Sequence, residues 1–178
     1  CRHLGTSVIT LCTGTRDPED QWRRHPGNDT ADAWRDLATE MQKALLLAEQ
    51  HGVDLGIEPE LANVVSSARH ARRLIDELRS PRLKIVLDPA NLFEIADAAT
   101  RRRLVADATD LLGGRIAMAH AKDRDALGGF VAAGSGVIDF SHFIGCLKSV
   151  GFDGPLVTHG LSEAEAPAVA TFLRGVIQ

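Results

Sequence analysis

Tyrosine is absent, and phenylalanine and tryptophan together make up only 4 % of the 178 residues. So thin an aromatic supply argues against a surface on which nucleic-acid bases stack. No long basic run occurs either. The formal charge is −4, from 20 basic and 24 acidic side chains, so the electrostatic footprint of a nucleic-acid binder is missing. Three cysteines, Cys1, Cys12 and Cys146, stand far apart with no CxxC spacing, which excludes a disulfide scaffold and reads as reduced thiols in a cytoplasmic protein. No apolar run approaches the roughly 18 residues of a membrane span, and no signal peptide is read at the start. What remains is ordinary for a soluble globular chain, 44 % hydrophobic and 25 % charged. The length allows one domain or a large part of one.

The apolar pattern alternates between two periods. Short runs at residues 6–13 (TSVITLCT), 53–58 (VDLGIE), 83–88 (LKIVLD), 115–120 (RIAMAH) and 154–159 (GPLVTH) are nearly continuously apolar and bounded by Gly, Pro or Asp. Strands buried on both faces read this way. Between them lie amphipathic stretches at 30–51, 64–79, 94–112, 139–150 and 162–176. The first has Asp29 or Thr30 as N-cap and Gly52 as stop; the last opens on Ser162 followed by Glu165, a capping-box pattern. Five parallel strands alternating with five helices predict an α/β protein.

The polar residues at the strand ends carry the functional signal. Glu58, Asp88, His120 and His159 each close an apolar run at its C-terminal end. In a parallel barrel those ends open on one face, and that face carries the chemistry. Taken singly, each has a plainer use: Glu58 as a solvated loop residue, Asp88 as a cap ahead of Pro89, His120 as a partly buried imidazole, His159 as a turn residue. Four in succession instead predict a shared cation, because a buried carboxylate is costly unless paired or metal-bound. Two carboxylates with imidazoles suit Mn²⁺, Zn²⁺, Co²⁺ or Mg²⁺, and the sequence does not choose among them.

These segments resemble the sugar-phosphate isomerase/epimerase group of xylose isomerase-like TIM barrels. The resemblance is carried by GVDLGIEPE (52–60), LKIVLDPANLF (83–93), AHAKD (119–123), GSGVIDFSHF (134–143) and GFDGPLVTHGLSE (151–163). It implies an α/β fold, a xylose isomerase-like (β/α)8 TIM barrel of which this chain, as one partial domain over residues 1–178, covers about the last five βα units. Strands one to three, about a hundred residues of a roughly 250-residue barrel, are then expected to be missing, and Cys1 in place of Met fits a truncated chain. Five βα units leave open strand edges, so a longer native protein or a partner chain, as in a homo-oligomer, is expected to cover them.

The resemblance also implies a metal-dependent isomerase or epimerase acting on a small sugar or sugar phosphate through an enediolate. Glu58, Asp88 and His120 are the implied ligands, with His159 where relatives carry a second glutamate. Glu58 is the expected base, with His159 or a metal-bound water as its acid partner. Asn91 stands where many relatives place a substrate-contacting histidine. In the segment 14–28 (GTRDPEDQWRRHPGN), Trp22 is expected to close on a sugar face, and Arg16, Arg23, Arg24 and His25 to hold an anionic group. Glu60 and Lys122 are further substrate contacts; Asp123 and Arg124 are expected to pair locally, and Gly134 and Gly136 to shape a turn. A catalytically impaired barrel, a polyol dehydratase and, least favoured, an endonuclease IV-like phosphodiesterase are the alternatives.

Overall fold

The computed structural model describes residues 4–178; Cys1 and His3 lie outside the described residues. Two compact units divide the chain, Cys1–Val86 and Leu87–Gln178.

In the first unit, β1 (Val8–Leu11), β2 (Asp54–Ile57) and β3 (Leu83–Leu87) alternate with α1 (Ala31–His51) and α2 (Ala68–Leu78); the unit boundary falls at the last residue of β3. The strands are parallel, with Ile9 opposite Leu55 and Ile57 opposite Ile85. Helix α1 forms where its period predicts. The Thr30 side chain accepts from Ala33 N, Gly52 closes the helix in the left-handed region at φ 66°, and Trp34, Met41, Leu45 and Ala48 bury one face. Gly56 lies inside β2 because a Cβ there would stand 3.0 Å from Val86 Cγ2.

Two expectations are corrected here. Helix α2 starts at Ala68 rather than residue 64, because the Val65 carbonyl, which a helix from residue 64 would offer to the N–H four residues on, accepts instead from Glu60 N at 3.1 Å. Ser67 then caps the helix, its side chain accepting from His70 N at 3.2 Å. Strand β1 is four residues long and not buried on both faces: Ile9 is 38 % exposed, since among the described residues β1 pairs with β2 alone.

The second unit holds α3 (Ala98–Leu112), β4 (Ile116–Arg124), β5 (Phe130–Ala132), α4 (Phe140–Ser149), β6 (Leu156–Thr158) and α5 (Ala166–Ile177). Phe140, Phe143, Leu112, Ala119 and Ala121 are buried in its core. Strand β4 pairs parallel with β6, His120 facing Val157, and antiparallel with β5, Lys122 facing Ala132. The five expected strands are all present, as β1, β2, β3, β4 and β6, and a sixth that was not expected, β5, pairs antiparallel with β4. The apolar run at 115–120 continues four residues further and turns back through a hairpin. Its turn is built by Asp125, whose Oδ1 accepts from Leu127 N and Gly129 N, and by Gly128 at φ 90°. Helix α3 begins at Ala98, behind an Asp97 cap. Half of the expected capping box forms ahead of α5: Glu165 Oε2 accepts from Ser162 N and Oγ, but as a separate turn, and the helix begins only at Ala166.

Candidate metal centre

Asp88 follows β3 and is 1 % exposed. Its two oxygens do different work. Oδ1 accepts from Ala90 N at 2.8 Å and caps the single 3₁₀ turn Pro89–Asn91, so the plain capping use is real. Oδ2 faces three nitrogens: His159 Nε2 at 3.1 Å, Lys122 Nζ at 3.2 Å and His120 Nδ1 at 3.8 Å. Burial pushes the Asp88 carboxyl up, but the His159 hydrogen bond, the Lys122 ammonium, the Ala90 N–H and His120 together outweigh it and hold the group below the ordinary carboxylate range.

Strand register explains the convergence. His120 and Lys122 are two apart on β4 and share one face. His120 lies opposite Val157 on β6, and His159, two residues on, projects to the same side. The two imidazole rings stand edge to face with centroids 4.5 Å apart. His120 is largely buried, whereas the His159 side chain is 39 % exposed, so it borders solvent. Asp88, His120 and His159 each offer one ligand atom, and these atoms lie within 4.8 Å of one another. One carboxylate and two imidazoles around a common point match the donors of Zn²⁺, Mn²⁺ and similar cations.

Lys122 is buried at 7 % exposure. Its Nζ donates to Asn91 Oδ1 at 3.0 Å and sits 4.0 Å from the centroid of the Phe130 ring. Among the described residues no ion pair joins Asp123 to Arg124, where a local pair was expected. Arg124 donates from Nε to Ala90 O at 2.5 Å and lies over the same Phe130 ring. Asp123, fully buried, accepts instead from the backbone N–H groups of Arg124, Gly134, Gly136 and Ile138. This confirms Gly134 and Gly136 as turn formers. Phe130 was not singled out in the sequence. Its signal was the turn-rich DALGGF at 125–130, readable as a hairpin that returns one aromatic beside the AKD segment.

Glu58, Glu60, Trp22 and His25 belong to the first unit. Glu58 directly follows β2, and its backbone N donates to Leu11 O at 3.3 Å. Glu60 Oε1 accepts from Ala62 N at 3.2 Å. Trp22 is 57 % exposed, and His25 Nδ1 accepts from Gly27 N at 3.0 Å. Arg16 pairs with Asp36, Arg23 with Asp17 and Glu19, and Arg24 with Asp29.

No curated protein matches the chain. Solved structures do. A xylose isomerase domain protein from Planctomyces limnophilus is 22 % identical with a TM-score of 0.73, covering 97 % of this chain and 59 % of its own. A D-psicose 3-epimerase from Clostridium cellulolyticum H10, determined with D-tagatose, is 18 % identical with a TM-score of 0.64, over 82 % of this chain and 57 % of its own. A protein named IOLI, determined with a bound zinc atom, is 17 % identical with a TM-score of 0.71, over 99 % of this chain and 65 % of its own. The chain thus spans less than two thirds of the length of each of these structures. At such identities they establish the fold. The sequence profile of xylose isomerase-like TIM barrels matches residues 1–174, and the chain belongs to that family.

Proposed function

We propose that this chain carries the metal-binding part of an isomerase or epimerase acting on a small sugar through an enediolate. The observation that carries the reading is the Asp88 carboxylate, buried and bracketed by His120 and His159, with the ligand atoms of all three within 4.8 Å of one another. The family and the printed names of its epimerase and zinc-bearing relatives support it. Glu58 is the proposed fourth ligand. Its support is the segment GVDLGIEPE (52–60), in which Glu58 follows β2 directly, within the span that the family profile matches.

A divalent cation held there, when bound, supplies Lewis-acid stabilisation of the oxygen charge that develops as carbon is deprotonated, worth several kcal/mol. The protein's own groups move the proton. Glu58 takes it from the carbon next to the carbonyl. His159, whose side chain borders solvent, passes a proton taken from water to the neighbouring position, a role open to it only when it does not itself ligate the cation. Trp22, His25 and Glu60 keep their proposed role as sugar contacts, while Asn91, buried, acts on the site through Lys122, from whose Nζ it accepts. The arginines of segment 14–28 are already ion-paired, which favours an unphosphorylated sugar over a sugar phosphate.

The test is exchange in D₂O over a panel of ketoses with Mn²⁺ supplied. Deuterium should enter the carbon beside the carbonyl, stop on chelation and resume when Mn²⁺ is restored. Glu58→Gln should lower the exchange rate by about 10²- to 10⁴-fold, the usual weight of a general base, with an unchanged circular dichroism spectrum. His120→Ala should lower metal content. Full exchange by Glu58→Gln would reject its role as base.

A further inference from the structure

Lys122 is a cation built into the place where a metal is proposed to bind. Its ammonium has three N–H bonds, and three partners surround it: Asp88 Oδ2 at 3.2 Å, Asn91 Oδ1 at 3.0 Å and the face of Phe130 at 4.0 Å. Asn91 and Asp88 are themselves buried. Phe130 is fixed by the antiparallel pairing of β5, where it lies opposite Arg124, and Arg124 braces the other end of the arrangement through Ala90 O. A buried carboxylate stripped of its partner is strongly destabilising, because the remaining charge is uncompensated. Asp88 meets that problem whenever no metal is bound, and a lysine with every donor engaged answers it.

We propose that Lys122 is a resident counter-ion for Asp88. It is a positioning residue that keeps the carboxylate aimed when no metal is bound, and its charge weakens metal binding, so that the Lys122–Phe130–Asn91 clamp sets the affinity. The proposal rests on the metal reading above. It assigns Phe130 a part in the site and gives Lys122 a role other than holding substrate.

The experiment uses the full 178-residue chain, with Mn²⁺ alone as the probe, titrated calorimetrically, and thermal melts recorded with and without it. Lys122→Met should bind Mn²⁺ roughly tenfold more tightly, as expected when a unit charge is removed from within a few ångströms of a dication in a partly solvated site. Its metal-free form should melt lower than the unaltered protein, and saturating Mn²⁺ should raise its Tm by the larger amount. Adding Asp88→Asn to Lys122→Met should recover the metal-free Tm, because neither charge is then left alone. If Lys122→Met does not fold, Phe130→Leu serves. It frees the ammonium from the ring and should tighten Mn²⁺ binding by a smaller factor, while Phe130→Trp, which restores a ring face, should bind as the unaltered protein does. Unchanged or weaker Mn²⁺ binding in Lys122→Met, or in Phe130→Leu where that variant stands in, overturns the counter-ion role and returns Lys122 to substrate contact. No Mn²⁺ binding by the unaltered chain overturns the metal reading itself.

Discussion

Asp123 shows how one buried side chain positions a whole loop. Its carboxylate accepts from four backbone N–H groups, of Arg124, Gly134, Gly136 and Ile138, at 2.8 to 3.1 Å. A carboxylate wrapped in donors is compensated without a cation, since hydrogen bonds to a charged acceptor are the strong kind. The wrap works only with glycine at 136, where a Cβ would lie 2.1 Å from Arg124 O and 2.5 Å from Asp123 Oδ1. Backbone cannot yield as a flexible side chain does. Gly136→Ala should therefore destabilise the protein by about 2–4 kcal/mol, in the range of an overpacked site that also loses hydrogen bonds. Urea unfolding followed by circular dichroism measures this; a loss under about 0.5 kcal/mol, the usual size of a surface substitution, would show that the loop is held otherwise.

Between elements, the clasp of α1 to α2 is the clearest case. Trp34 Nε1 donates to Glu77 Oε2 at 2.7 Å, Arg73 lies over the Trp34 ring at 3.9 Å, and Arg73 Nε also donates to Glu77 at 2.8 Å. The Trp34 hydrogen bond and then Arg73 hold the Glu77 carboxyl below its ordinary value, against the opposing effect of burial. A lowered folded value means that this stabilisation is fully present above the unfolded glutamate value near 4.3 and is lost as pH falls through the folded one. In a Trp22→Phe background, which leaves Trp34 as the sole tryptophan, indole emission should change as pH drops below about 4. The change should vanish when Glu77→Gln is added, because the amide still accepts from Trp34 but does not titrate. The same pH curve with and without Glu77→Gln would place the titration elsewhere.

At the scale of the whole molecule, apolar side chains stand uncovered. Strand β1, with Ile9 partly exposed, pairs among the described residues only with β2, and Leu46 and Leu47 on α1 are largely exposed. An edge strand with open N–H and C=O groups is a template for another chain. The 178-residue chain should therefore self-associate at micromolar concentration, and Ile9→Lys, which puts a charge on that edge, should shift it toward monomer. Sedimentation at several concentrations checks this; a chain that stays monomeric throughout would show the edge to be harmless. No helix among the described residues is long and apolar enough to cross a membrane.

How much was legible follows from which interactions are local. The β/α alternation, the span of α1 between Thr30 and Gly52, and the placing of Asp88 and His159 at strand ends could all be read along the chain, because hydrophobic period, caps and the two-residue alternation of a strand are properties of neighbours in sequence; His120 lies inside β4 rather than at its end. The tie of the segment ahead of α2, the reach of the Arg124 side chain and the loop wrapped around Asp123 could not be read in this way. Each is decided by a partner far along the chain, such as Thr13 for Val65, Ala90 for Arg124 and Asp123 for Gly136. Sequence alone settled which residue types reach the strand ends. Only the tertiary structure decided that a single oxygen, Asp88 Oδ2, is shared by two imidazoles and a lysine, since a distance of about 3 Å between groups 30 to 70 residues apart exists only once the strands are side by side.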